Sequence, residues 1–238
     1  GRQLMPEIKP YLEAMLGASG INEFQAKTML YYGLGCYHLE EFQEYPLLTC
    51  FGKTGTGKSR AIKELEKVLP QYQLTPAKAT YTDLAKSLNG NSIVVIEEAD
   101  SLKPIDRCEG LLQDRTDRTN EIAVIHLPPM QTTEEIHNFG ATILHKRDSF
   151  ADIATRNRSI IIKTEQKRGY WEVKDVDKRG FEEVAKTIAP KDCYVFEEIL
   201  LDEKVSTRTL DTWKPIIKIA EACGDLDYLD DCKDMLNR

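Results

Sequence analysis

Two rhythms of apolar positions alternate along the chain. Short unbroken apolar runs at 46–51, 93–96, 122–126, 140–144 and 159–163 have the length and β-branched content of strands. Between them, apolar residues recur three or four positions apart, as on a helix that buries one face. Ala61, Ile62, Leu65, Val68 and Leu69 show this most clearly. Two helices are expected before the first strand, over 6–16 and 23–42, separated by Gly17-Ala18-Ser19-Gly20. The second carries Phe24, Met29, Leu30, Leu34 and Tyr37 as a core-facing stripe. Residues 72–74 form a short strand, 81–88 a helix introduced by Thr80 or Thr82, and Asn89-Gly90-Asn91 a turn. A helix over 105–113 follows, and 127–138 reads as a hairpin or a loop. From residue 181 the pattern is helical, with segments near 181–188, 194–201, 207–222 and 228–236. Strands alternating with helices before a helical tail predict an α/β fold, a mostly parallel sheet flanked by helices with a C-terminal helical lid.

The turn after the first strand carries chemistry. Gly52-Lys53-Thr54-Gly55-Thr56-Gly57-Lys58-Ser59 fits G-x-x-x-x-G-K-[ST] at every fixed position, between a strand and an amphipathic helix. Its glycines let successive N–H groups turn around the phosphates of a nucleotide, and the following helix points its positive end at the same charge. ATP and Mg²⁺ are the expected cofactors: Lys58 supplies a mobile cation for the phosphates and Ser59 a hydroxyl ligand for the metal. The run Ile93-Val94-Val95-Ile96 reads as a central strand that ends in Glu97-Glu98-Ala99-Asp100. Ligands of open α/β sheets lie beyond the carboxyl ends of the strands, which suits these carboxylates to such a site. Glu97 is expected to orient the Mg²⁺ shell and Glu98 to polarise the attacking water. The expected division is an N-terminal helical segment at 1–45, a phosphate-loop core at 46–165, and a linker with the helical lid at 166–238.

Composition narrows the function further. The chain has 238 residues, 41% hydrophobic and 30% charged, enough for a sizeable core. No apolar run reaches a membrane span and the N-terminus lacks a signal-like block, which predicts a cytoplasmic protein with no membrane partner. A start at Gly1 is expected of an excised fragment or of a chain freed from a tag. Six cysteines without a C-x-x-C pair read as reduced core residues, and the four histidines lack metal-ligand spacing. The net charge of −7 argues against a broad basic surface. Between 145 and 168, however, seven basic residues face three acidic ones, and the C-terminus is acidic, which could give neighbouring subunits complementary edges.

Taken together, these residues resemble the AAA+ superfamily of ring-forming ATPases, through the phosphate loop, Glu97-Glu98-Ala99-Asp100 and Ala151-Asp152-Ile153-Ala154-Thr155-Arg156-Asn157-Arg158-Ser159-Ile160. The resemblance implies that Arg156 or Arg158 reaches the γ-phosphate bound by a neighbouring subunit. It also implies that strand 140–144 lies between the phosphate-loop and acidic strands, with His145 in the place of a polar first sensor. Arg208 would serve as the second sensor on the lid. A narrower similarity, through Phe139-Gly140-Ala141-Thr142, 156–162 and 213–220, is to the ATPase modules of replicative or helicase-like proteins of phages, plasmids and mobile elements.

Two functions follow. One is an ATP-driven homo-oligomeric ring that moves on DNA, with Arg115 and Arg118, in the stretch where helicases of the superfamily insert a pore hairpin, contacting DNA phosphates. The simpler role for these arginines is pairing with Asp114 and Asp117. The other function is a nucleotide-dependent switch or loader that recruits a DNA-processing or defence partner without translocation. A small-molecule phosphate-loop kinase fits less well, given the paired glutamates and helical tail.

Overall fold

A computed structural model describes residues 5–127, 132–167, 169, 175–190, 194–200 and 204–238. Helices α1 (Met5–Ala18) and α2 (Glu23–Gly35) precede the first strand. Asn22 starts α2 with a reciprocal cap, accepting from Gln25 N at 2.8 Å while its own N–H donates to Gln25 Oε1 at 3.0 Å. The helix expected to reach residue 42 stops at Gly35. A 3₁₀ turn over Cys36–Glu41 follows, with His38 at φ −131°, ψ 26°. The Tyr45 hydroxyl donates to Tyr32 O at 2.5 Å and fills the space beside Gly35, where a Cβ would come within 2.2 Å of its oxygen. Tertiary packing thus ends a helix that its own periodicity would have continued.

Five parallel strands form the sheet in the order β2-β3-β6-β1-β7: β1 (Leu47–Phe51), β2 (Gln73–Thr75), β3 (Ile93–Ile96), β6 (Ala141–Lys146) and β7 (Ser159–Lys163). β6 lies between β1 and β3, so the strand before the phosphate loop and the acidic-tipped strand are not neighbours. The apolar run at 122 is not part of this sheet. It forms β4 (Ile122–Leu127), which pairs antiparallel with β5 (Thr132–His137) in a separate hairpin. Only one side of that ribbon is covered: Ile125 and Ile136 are buried, whereas Ile122 and Val124 are exposed. Residues 128–131, at the centre of the expected hairpin or loop, lie outside the described residues.

Alternate residues of the central strands feed two cores. Leu48, Cys50, Val95, Ile143, Ile160 and Ile162 face α1, α2, α3 (Lys58–Glu66), α7 (Lys178–Thr187), α8 (Tyr194–Leu200), α9 (Thr207–Ala222) and α10 (Leu226–Leu236). Leu47, Val94, Ile96 and Leu144 face α4 (Tyr81–Leu88) and α5 (Ile105–Arg115). The last helices pack on α2, where Asp225 meets Lys27 Nζ at 3.0 Å and the Tyr31 hydroxyl at 2.5 Å. Helices α1 and α2 therefore share one layer with α7, α8, α9 and α10. Cys36, Cys50, Cys108, Cys223 and Cys232 are buried free thiols, and Cys193 lies outside the described residues. Among the described residues no helix is long and apolar enough to cross a membrane.

The two arginines expected on a pore loop are structural. Arg115 is fully buried. Its guanidinium donates to Thr142 Oγ1 (2.8 Å), Asn138 O (3.0 Å), Asn91 O (2.6 Å) and Ala141 O (3.2 Å), tying the end of α5 to the sheet. Burial pulls its pKa down to about 10, so it stays charged at neutral pH. Arg118 donates to Leu39 O (2.8 Å) and Phe42 O (3.1 Å) and lies 4.0 Å over the Phe139 ring. Carbonyl groups, the Thr142 hydroxyl, a ring and, for Arg118, Glu121 at 3.9 Å hold these two side chains, rather than Asp114 or Asp117.

Candidate nucleotide site

The phosphate loop joins β1 to α3 at the carboxyl edge of the sheet. Gly57 starts α3 in the left-handed region, φ 85°, with no side-chain cap, so the N–H groups of the first turn stay open to an anion. Gly52 is required by crowding: a Cβ there would fall 2.3 Å from Thr164 Oγ1 and 2.8 Å from Thr56 Oγ1. The loop is held from two sides. Thr56 Oγ1 and Thr164 Oγ1 lie 2.6 Å apart, Gly20 N donates to Thr56 O (3.2 Å), and Ser19 Oγ donates to Gly57 O (2.8 Å). Thr164, at the end of β7, and the turn between α1 and α2 therefore fix a shape that eight local residues alone would not. Lys58 Nζ reaches back to Lys53 O at 3.5 Å.

A cleft of about 700 Å³ opens above the loop, lined by Lys58, Ser59, Arg60, Lys63 and Arg147 together with Glu97, Glu98 and Asp100. Backbone donors, several cations and a serine hydroxyl suit a nucleotide's phosphates, while Ser59 and Glu97 are oxygen ligands of the kind Mg²⁺ takes. Lys58→Ala is expected to weaken nucleotide binding by about 10- to 100-fold, the scale of one charged hydrogen bond, as read by titration with a fluorescent ATP analogue.

The tips of β3 and β6 are latched together. Glu98 adopts φ 53°, ψ 58°, a conformation that L residues rarely hold, and its N–H donates to His145 Nε2 at 3.4 Å. An accepting Nε2 makes His145 a neutral ring protonated at Nδ1. Burial first, and then the charge of Lys58, lower its pKa in the same sense. Its Nδ1 is buried with no hydrogen-bond partner among the described residues. Asp100 closes the second rung, accepting from Arg147 N at 3.0 Å and meeting Lys146 Nζ at 3.5 Å. On α3, burial and the charge of Glu97 push the Glu66 carboxyl up, against the pull of Lys63 and Tyr72. Sequence reasoning missed Thr164, Ser19, Glu66 and the latching role of Asp100. Only Asp100 left a signal, as the last acid of the strand-end motif.

The remaining candidates lie at the other edge of the sheet. Arg158 directly precedes β7, and its carbonyl accepts from Leu47 N, at the start of β1, at 3.0 Å. With the strands parallel, roughly 16 Å of strand separates it from its own phosphate loop. Arg156 and Arg158 flank the end of α6 (Ile153–Asn157), where each donates from Nη1 to a carbonyl, Phe150 O at 3.2 Å and Ala154 O at 3.1 Å. Arg208 also lies at this edge. It contacts both oxygens of Glu44 (2.8 and 3.0 Å), just before β1, and Asp211 at 3.4 Å. Burial alone would lower its pKa; Glu44 and Asp211 raise it. This pairing keeps Arg208 from the chain's own phosphate loop, contrary to the second-sensor expectation.

Solved structures share this architecture. The Cch active helicase of SCCmec type IV matches 88% of this chain with a TM-score of 0.53 at 17% identity, and the match covers 46% of the helicase, so this chain spans about half its length. A candidate ATPase from Cytophaga hutchinsonii ATCC 33406 matches 96% of this chain and 84% of its own, with a TM-score of 0.50 at 10% identity. No protein-family model matches the sequence, and a search of curated proteins found no match. The shared feature is the fold, a mostly parallel sheet flanked by helices, with the phosphate loop between its first strand and the helix that follows.

Proposed function

We propose that the chain is the ATPase module of an ATP-hydrolysing motor that forms a homo-oligomeric ring and acts on DNA, with Mg²⁺ as its metal. One observation carries the reading: Glu98, Lys58, Ser59 and His145 meet at one edge of the sheet, while Arg156 and Arg158 stand at the other. The cleft's own cations, Lys58, Arg60, Lys63 and Arg147, do not include Arg156 or Arg158, so a part for either of these two in hydrolysis would be taken at a second copy's cleft. In this reading Lys58 holds the phosphates, Ser59 and Glu97 hold Mg²⁺, Glu98 directs the attacking water, and His145 fixes Glu98. Arg208 takes no part at the chain's own nucleotide.

The DNA element draws on the fold shared with a helicase, of which this chain matches less than half. The buried Arg115, the Arg118 side chain already engaged by Leu39 O and Phe42 O, and the net charge of −7 favour the second reading, a nucleotide-dependent switch or loader that recruits a DNA-processing or defence partner. The mass of the assembly with and without a nonhydrolysable ATP analogue tests the ring, and directional strand displacement separates motor from switch. A ring that hydrolyses ATP without displacing a strand leaves the switch. A monomer under both conditions ends the ring reading.

A further inference from the structure

Two open clefts away from the nucleotide site meet at one pair of side chains. The first, of about 640 Å³, is lined by Thr80, Tyr81, Lys103, Pro104 and Arg107. The second, of about 370 Å³, is lined by Tyr81 and Arg107 again, with Gly110, Asp114, Asn120 and the hairpin residues Ile122 and Val124. The ridge between them is a cation stacked on an aromatic ring: the Arg107 guanidinium lies 4.0 Å from the centroid of Tyr81, and its Nη2 donates to His126 O at 3.4 Å. Lys103 is fixed beside this pair, its N–H donating to Ala79 O (3.3 Å) and its carbonyl accepting from Tyr81 N (2.9 Å).

Gly110 lines the floor of the second cleft. It sits within α5, where glycine weakens a helix relative to alanine, yet an added Cβ would meet no atom within 4 Å. Among the described residues no atom fills that space. The opposite wall is apolar and exposed, Ile122 at 46% and Val124 at 66%. Asn120 and Asp114 add groups that hydrogen-bond a base edge. Asp83, the nearest carboxylate on α4, already accepts from Thr80 N (3.0 Å) and Thr80 Oγ1 (2.9 Å).

We infer that this ridge and its two clefts bind single-stranded nucleic acid, with Arg107 and Lys103 on phosphates and an unstacked base over Gly110 against Ile122 and Val124. Flat cations and aromatic or apolar faces along a groove are what a splayed strand requires, and a stacked duplex cannot offer its base faces to them. The inference rests on the DNA reading above and gives it a surface that Arg115 and Arg118 do not supply.

The test is anisotropy of a labelled oligothymidylate with the full chain and a nonhydrolysable ATP analogue, across a salt series. Arg107→Ala is expected to weaken binding about tenfold and to reduce the salt slope by about 0.7, one phosphate contact on a single strand. Gly110→Leu, which fills the cleft without removing a charge, is expected to weaken binding about tenfold too, with thermal stability no lower and DNA-free ATP turnover unchanged. Both variants binding within about twofold of wild type would overturn the surface while leaving the DNA reading intact. Wild type that binds no oligonucleotide at low salt ends both. An acidic peptide that competes better than the oligonucleotide assigns the clefts to a protein partner and also overturns the inference.

Discussion

Replacing Glu98 with Gln is expected to lower ATP turnover by about 10²- to 10⁴-fold, the range lost with a positioned general base, while nucleotide affinity changes little. Glu98 holds φ 53°, ψ 58°, fixed by its N–H on His145 Nε2 and by the latch from Asp100 to Lys146 and Arg147. Those contacts use the backbone of residue 98 and the side chains of others, so the isosteric Gln keeps the geometry and removes only the ability to take a proton. A loss confined to turnover, with titrated affinity unchanged, would show a group acting on the attacking water rather than on the bound phosphates. Equal turnover in Glu98→Gln and wild type would falsify that role. Weaker nucleotide binding instead would assign Glu98 to metal or phosphate contact.

The site was legible where its chemistry is local and obscure where it depends on packing. Gly52 to Ser59 are contiguous, and their function follows from backbone conformation and charge within one turn, so the spacing reveals them. The central strand was legible for a similar reason: Ile93 to Ile96 carries its burial in composition, all four residues being buried. Arg115 was misread because nothing in its neighbours announces that Thr142, Asn138, Asn91 and Ala141 will converge on it from three other parts of the chain. An arginine on an apparent loop reads as solvated until the fold supplies its acceptors. The Arg208 contact is hidden from the sequence for the same reason, since Glu44 lies 164 positions away. The strand at 122 was legible as a strand but not its partner: only alternate residues of Ile122–Leu127 are covered, and partial burial cannot be seen in a run so short.

The arrangement of Arg156 and Arg158 leads to the second large effect. Subunits carrying Arg158→Ala are expected to lower the ATPase activity of wild-type assemblies by more than their own share, and a homogeneous Arg158→Ala assembly is expected to lose about 10³-fold or more in turnover, the scale of a transition-state arginine. A residue at the start of β7 cannot turn back along the strand to its own loop, since β1 and β7 run parallel and in register from Leu47 and Ser159. If Arg158 serves another copy, as proposed, a mutant subunit is expected to bind nucleotide normally at its own cleft and to disable a neighbour's. Arg156, on the same short helix end, is the paired control: the finger is whichever substitution poisons in mixtures while leaving nucleotide affinity unchanged. Thermal melts of each variant guard against a folding defect, because the Nη1 bonds to Phe150 O and Ala154 O also brace α6. Activity that falls in strict proportion to the mutant fraction for both arginines, at a specific activity independent of protein concentration, assigns hydrolysis to the single chain and removes the ring from the mechanism.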